Sequence, residues 1–437
     1  MKTAAANAAG VFALLVLVVL GSQGQLILTG VAIGLAVGVT LLIYLGPDRL
    51  GILALLVAVF LSPINGLKVG SGNVTFADFA YVAGIGLLLP RMLQSTSKMP
   101  RLYTIGVWIL VLDALVVSLL SPIALVSLLG FVRVFYAIVI IPVVMHRLRM
   151  GFHLLNAFAW AFVLGQIVSM AKGTISYGIH SSVAGGRGVG WTTHPNFYGL
   201  GGQLAFALLV FLFYRTPRQY RWIVVGAAVL CALSVYQSGS RASLLCITLT
   251  VLLWPVVERT AISVYVLTSF ALVAAVVLNY LISTAPEGSS LARLKGGGTS
   301  QGSNQARELL LSQGWEKFWA SPIKGNGWSD ILAYHNAYLE VAVAGGVFAV
   351  VGFVFVIAAH IKPLFDEPVP NRLAFVALSY AAFAAIGPTV YDRVLWGALG
   401  LVFALHRTPD DPVPEDELRA RPEKKPLPAL RSPGRIR

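Results

Sequence analysis

Most of the chemistry this sequence offers lies in three short places: Ser238-Gly239-Ser240-Arg241, the single Arg307, and His335-Asn336. The first is a tight turn between two apolar stretches, with Ser240 placed to cap the following helix and Arg241 in that helix's first turn. Free backbone N–H groups, the positive end of a helix and a guanidinium together make an anion site suited to phosphate. His335 stands where the chain re-enters an apolar run. There the positive helix end favours the neutral imidazole, the form that accepts a proton.

Arg307 owes its interest to where it falls in a periodic pattern. From about Asn304 to Trp319 the spacing predicts a helix with Leu310, Leu311, Gly314, Trp315 and Phe318 on one arc and Gln305, Glu308, Ser312 and Glu316 on the other. Arg307 lies near the middle of the apolar arc, away from both glutamates. A guanidinium so placed points toward the membrane surface or a protein cavity and needs an anionic partner. Ser321-Pro322 then ends the helix, and Gly325-Asn326-Gly327 makes a turn.

Further polar residues fall on the same expected side. Arg187, followed by His194-Pro195-Asn196 at the head of another apolar run, supplies a cation, an imidazole and an amide. Asn336 and Tyr338 flank the histidine, and Tyr391-Asp392-Arg393 forms a compact turn. Asp330, Glu340 and Asp392 are the carboxylates within reach, without an Asp-x-Asp pattern. Asp113 and Arg133 lie inside consecutive apolar runs and are expected to pair with each other. Cys231 and Cys246 read as small buried apolar residues; neither has a second Cys or His at metal-ligand spacing, so no metal or other cofactor is expected. The glycines of 185–190 follow no strand and make a weak nucleotide fingerprint.

The elements that must position these groups are membrane helices. Hydrophobic residues make up 57% of the 437 and charged ones 11%, where a soluble domain carries about a quarter. Apolar runs of roughly 17 to 25 residues recur without strand-like alternation, which predicts an all-α polytopic bundle of about 12 to 14 spans. The windows are 5–21, 26–45, 50–63, 77–93, 102–120, 125–145, 152–173, 196–214, 222–237, 241–257, 261–282, 336–359, 372–389 and 393–406. The first is read as an uncleaved span.

The net charge of +14 reflects short basic loops around Arg91–Arg101, Arg147–Arg149, Arg215–Arg221 and Lys362–Arg372, so it indicates topology and not a nucleic-acid partner. These loops fall on one side, expected to be cytoplasmic with both termini. The segments 174–195, 238–240, 283–334 and 390–392 then face outward. Three regions follow: 1–173, N-terminal spans; 174–406, a catalytic membrane region with the outer loop 283–334; and 407–437, a disordered cytoplasmic tail.

With the turn at 238–241, Arg307, Pro322, Gly325-x-Gly327, His335-Asn336-x-x-Leu339 and Gly345-Gly346 in this order, the chain resembles the O-antigen ligase and polymerase superfamily over roughly residues 185–360. The resemblance implies an envelope glycosyltransferase of a bacterial cell membrane. It would take a glycan from an undecaprenyl-pyrophosphate donor to a glycan, lipid or protein acceptor, without nucleotide sugar or required metal. It further implies that Arg241 and Arg307, with Ser240, hold the pyrophosphate and that His335 acts on the acceptor hydroxyl, with Arg187, His194, Asn196, Asn336, Tyr338 and Arg393 as further site candidates. The competing class is a transporter or flippase of lipid-linked saccharide, which would place polar and broken-helix features at the membrane midplane.

Overall fold

The computed structural model describes residues 26–68, 74–177, 186–258, 300–329, 334–366, 370–387 and 392–405, together with 265, 269, 280, 283–285, 291 and 390. The window at 5–21, nearly all of 261–282, the glycines at 296–298, Asp330, Tyr391 and both termini lie outside the described residues.

The chain is an all-α polytopic membrane protein. Its helices are α1 (Leu26–Leu61), α2 (Phe76–Gln94), α3 (Arg101–Leu119), α4 (Ala124–Arg147), α5 (Phe152–Ser176), α6 (Pro195–Arg215), α7 (Arg221–Ser238), α8 (Arg241–Glu258), α9 (Ser300–Ala320), α10 (Ala337–Ile361), α11 (Phe375–Ala384) and α12 (Arg393–Gly400). Eight described helices are long and apolar enough to cross a bilayer, and three shorter apolar ones accompany them. The windows at 26–45 and 50–63 fall on the two helices that meet within α1 at a kink, Gly46 (φ 75°, ψ 166°), just before Pro47. Cys231 and Cys246 are free and buried.

The bundle has two chemically distinct ends. At one, Arg147 donates to the carbonyl of Met92 (3.2 Å), Arg149 to Thr96 (3.1 Å), and Arg372 lies over the Tyr214 ring at 3.6 Å. The four basic loops thus share this end. Arg215 packs over Phe152, and buried His146 joins Ser97 (2.8 Å) to the carbonyl of Phe403 (2.9 Å). The opposite end gathers the starts of α4, α6, α8 and α10 with the close of α7; it is the site end.

α6 is the axial helix, buried along most of its length. Because lipid tails are as apolar as leucine, its packing relies on close approach and polar contacts more than on water exclusion. Gln166 of α5 donates to the α6 carbonyl of Tyr198 (3.2 Å) and to Ser234 of α7 (3.0 Å). The Tyr198 hydroxyl donates to Gln237 (3.0 Å), whose amide donates to Thr174 (3.2 Å). These bonds fix the end of α7 just before the Ser238 turn.

α10 is broken near its start. Gly346 has φ 74° and ψ −164°, and the helix resumes beyond it. The segment after α9 closes the gap: Asn326 N–H donates to Val343 O (2.8 Å), Gly327 N–H to Ala344 O (2.9 Å), and Val347 N–H to Pro322 O (2.9 Å). Trp328, wholly buried, anchors the far side of this segment by donating its backbone N–H to Ser127 of α4 (2.9 Å). Pro322, Gly325, Gly327 and Gly346, widely separated in sequence, form one stitched joint.

One expectation about charge is corrected here. Asp113 and Arg133 do not pair. The Asp113 carboxylate faces the Gly345 backbone, and its Oδ2 is buried with no hydrogen-bond partner, whereas Arg133 lines a separate cavity. Helix rotation, which charge spacing does not encode, turns the two side chains apart.

A methyl at Gly346 would sit in a left-handed backbone and meet the carbonyl oxygens of Ile323 and Pro322. Gly346→Ala should therefore lower stability by about 2 kcal/mol or more, whereas Gly226→Ala, whose added methyl meets nothing within 4 Å, should be neutral or mildly stabilising. Thermal unfolding in detergent compares them; equal midpoints would refute the strain.

Candidate active site

The turn between α7 and α8 is built by local bonds. Gly239 takes the left-handed conformation (φ 61°) that ends α7, and the Ser238 hydroxyl donates to Val235 O at 2.7 Å. Ser240 caps α8 as its sequence position predicts: its Oγ accepts from Ser243 N–H (3.3 Å) and from the Ser243 hydroxyl (3.0 Å).

Three of the further candidates converge on this turn and support it. Arg187, 9% exposed, donates from Nε to the Ser238 carbonyl (2.7 Å) and from Nη2 to Asn196 (2.7 Å), while Gly188 N–H donates to Gln237 O (2.8 Å). Arg187 therefore neutralises the exposed carbonyl end of α7 and ties it to the head of α6. His194 caps α6, with Nδ1 accepting from Asn196 N–H at 3.1 Å and its ring edge-on to Phe197. Arg241 is the side chain that leaves the turn. Its Nη2 donates to Asn304 of α9, three residues before Arg307 and on the same side of that helix. Sequence patterning marked Asn304 only as the start of a helix.

α9 follows its predicted pattern. Gln305, Glu308, Ser312 and Glu316 are exposed, while Leu311, Gly314 and Phe318 face α10. Gly314 permits the close approach, since a β-carbon there would meet Leu339 at 2.8 Å and Tyr334 at 3.0 Å. Trp315 and Trp319 stack on each other and remain exposed, as amphipathic rings do at a membrane–water boundary. Two turns before Gly314, the same packed face carries half-buried Arg307 toward the start of α10.

There Arg241, Arg307 and His335 come together electrostatically. Burial lowers the proton affinity of the Arg307 guanidinium, and the Arg241 charge lowers it further. For His335, burial holds the imidazole below the usual histidine range, and the Arg307 charge is the second cause. Arg307 Nε and His335 Nδ1 are buried without hydrogen-bond partners. Among the described residues no carboxylate pairs with either arginine. Two cations held together in a partly desolvated space beside a neutral imidazole are stabilised by a ligand of at least two negative charges.

His335 itself is strained, with φ 56°. Asn336 caps α10, its side chain accepting from Leu339 N–H (3.1 Å), and Tyr338 anchors the helix by donating to Ala381 O (3.2 Å). Glu340, 2% exposed, has its carboxylate near the backbone N–H of Tyr334, the residue before the histidine. Sequence reading named Glu340 only as a carboxylate within reach; its inward direction follows from the α9–α10 packing. Arg393 begins α12, at the same end of the bundle as the head of α6.

The fold and site define a membrane-embedded protein whose half-buried cations and histidine lie at one end of a helical bundle. Residues 226–354 match the family model described as O-antigen ligase. Residues 226–354 thus carry an O-antigen ligase domain, which supports glycan transfer in general. The matched stretch holds the Ser238–Arg241 turn, Arg307, His335 and the Gly346 joint; Arg187, His194 and Asn196 precede it. No curated protein matches the chain.

Two outcomes follow from this geometry. Because the His335 pKa is lowered, the imidazole stays neutral into mildly acidic solution, so activity should fall only below the ordinary histidine range. Removing the neighbouring charge with Arg307→Gln raises that pKa, and the acidic limb of kcat/KM should move to higher pH; an unmoved limb would exclude His335 as the titrating group. Glu340→Leu removes the carboxylate beside the Tyr334 N–H. It should lower kcat with little change in donor KM, while Glu340→Gln, which keeps an acceptor oxygen, restores most of the loss. Equal kcat in the Leu and Gln variants would show that Glu340 does not position the histidine.

Proposed function

We propose that this protein transfers a glycan from an undecaprenyl-pyrophosphate carrier to an acceptor hydroxyl at the outer face of a bacterial membrane, without a metal ion. The observation that carries the reading is that Arg241 bonds Asn304 on the side of α9 that carries half-buried Arg307, whose charge, after burial, lowers the proton affinity of His335.

Arg241 and Arg307 bind the pyrophosphate. As the anomeric C–O bond breaks, its electron pair leaves with the pyrophosphate, and fixed guanidinium groups stabilise that growing charge more in the transition state than in the bound donor. The acceptor oxygen forms the new bond to the anomeric carbon from the opposite side, inverting it, and its proton passes to the His335 imidazole. Ser240 holds Arg241 at the helix start, and Arg187, Asn196 and His194 keep that start in place. The outer face is supported by the gathering of the basic loops at the opposite end of the bundle, which the positive-inside rule assigns to the cytoplasm.

A transporter reading would find support in the broken helix α10. However, the carbonyls of Val343 and Ala344 and the N–H of Val347 are all occupied by the chain's own 322–327 segment, so the break presents no open helix end to a solute.

Reconstitution in nanodiscs with an undecaprenyl-pyrophosphate glycan and a panel of acceptors tests the proposal. His335→Ala should lower kcat by about 10²-fold to 10⁴-fold with donor KM nearly unchanged. Arg241→Ala and Arg307→Ala should weaken the donor interaction as well as turnover, and a chelator should leave the wild-type rate unchanged. Full transfer by His335→Ala or Arg307→Ala would refute the assigned roles.

A further inference from the structure

A cavity of about 600 Å³ lies at the site end, between the close of α1, the start of α2, α4 and the head of α6, and the transferase mechanism does not use it. Its volume is in the range of small-molecule sites. What it could hold follows from its walls.

The lining carries four charged side chains, Lys68, Asp78, Arg133 and Asp392, which argues against a lipid chain. The contrast within the same molecule is clear: a second cavity of about 270 Å³ between α6, α7 and α8 is lined only by apolar groups such as Phe206, Val229 and Trp254. The two carboxylates argue equally against a bare polyanion. Asp78 is fixed in place, accepting from Thr75 N–H (2.7 Å) and the Thr75 hydroxyl (2.9 Å).

Two polar groups on this wall are uncommitted. Arg133 sits within a membrane-spanning helix, yet its charge meets no carboxylate among the described residues, because Asp113 faces Gly345 instead. Asn65 Oδ1 is buried without a hydrogen-bond partner. Beside them the Tyr136 and Phe197 rings offer flat apolar surface. Donors and acceptors interleaved with flat apolar patches match a pyranose ring, which presents hydroxyls around its edge and C–H groups on its faces.

The head of α6 separates this cavity from the catalytic cluster. Asn196 faces Arg187, beside the Ser238 turn, while neighbouring Thr193 and Phe197 line the cavity. A sugar held here is therefore not the one joined to the pyrophosphate. We propose that the cavity is a saccharide subsite for the acceptor glycan, with Arg133 and Asn65 as its principal polar contacts; the acceptor assignment rests on the transferase reading.

The test uses the full chain in nanodiscs without any lipid-linked donor. The probes are a glucose tetrasaccharide, its glucuronate-containing counterpart, and a fatty acid, each bearing a diazirine. After photolysis, sugar crosslinks should map to the 65–78 or 132–136 peptides. Labelling should fall about tenfold in both Arg133→Gln and Asn65→Ala, as expected for loss of a hydrogen bond to the ligand. In the transfer assay Arg133→Gln should raise acceptor KM by a similar factor and leave donor KM unchanged. Undiminished sugar labelling in both variants, or capture of the fatty acid in place of the sugars, would overturn the subsite. Crosslinking needs no turnover, so a full rate in His335→Ala would defeat the transferase mechanism while leaving the binding result intact.

Discussion

The arrangement depends on the backbone of α10 at Gly346. A helix interrupted inside a bilayer exposes carbonyl and N–H groups that lipid cannot satisfy, so another segment must supply the missing bonds. The residues after α9 do this with three backbone hydrogen bonds, and buried Trp328 secures the same segment to α4. The joint fixes the end of α9 against the start of α10, and Gly314 brings the two helices close. Arg307 and His335 share a site as a consequence of that docking.

A second constraint acts on the other side of the site. The end of α7 and the start of α8 place carbonyl and N–H groups within a single tight turn, and each needs a partner. Serine hydroxyls serve the local groups, whereas the Ser238 carbonyl takes the buried Arg187 guanidinium. One arginine thus stabilises the scaffold while Arg241, three residues farther along the chain from Ser238, is left to project toward α9. Two arginines at the same turn have different tasks because Arg187 bonds the Ser238 carbonyl whereas Arg241 bonds the Asn304 side chain of α9.

The site resulting from these constraints is electrostatically unfavourable by itself. Arg241 and Arg307 repel each other in a partly desolvated space, and His335 answers by remaining neutral. Such preorganised positive charge is of most use to a reaction whose leaving group gains negative charge. The O-antigen ligase match covers both arginines and the histidine, so the domain match and the local physics bear on the same residues.

The sequence by itself determined whatever depends on short-range periodicity. It specified an all-helical membrane chain, the Ser240 cap, the polar and packed faces of α9, and basic loops that share one end. Each follows from spacing of a few residues or from hydropathy over a span. The tertiary structure decided what depends on helix rotation and long-range closure. It turned Asp113 and Arg133 apart, directed Arg187 onto Ser238, brought Glu340 to the Tyr334 N–H, and joined Pro322 to the Gly346 break. An arginine in an apolar stretch announces that it needs a partner, but which partner it meets is set by how neighbouring helices pack, and no local pattern carries that information.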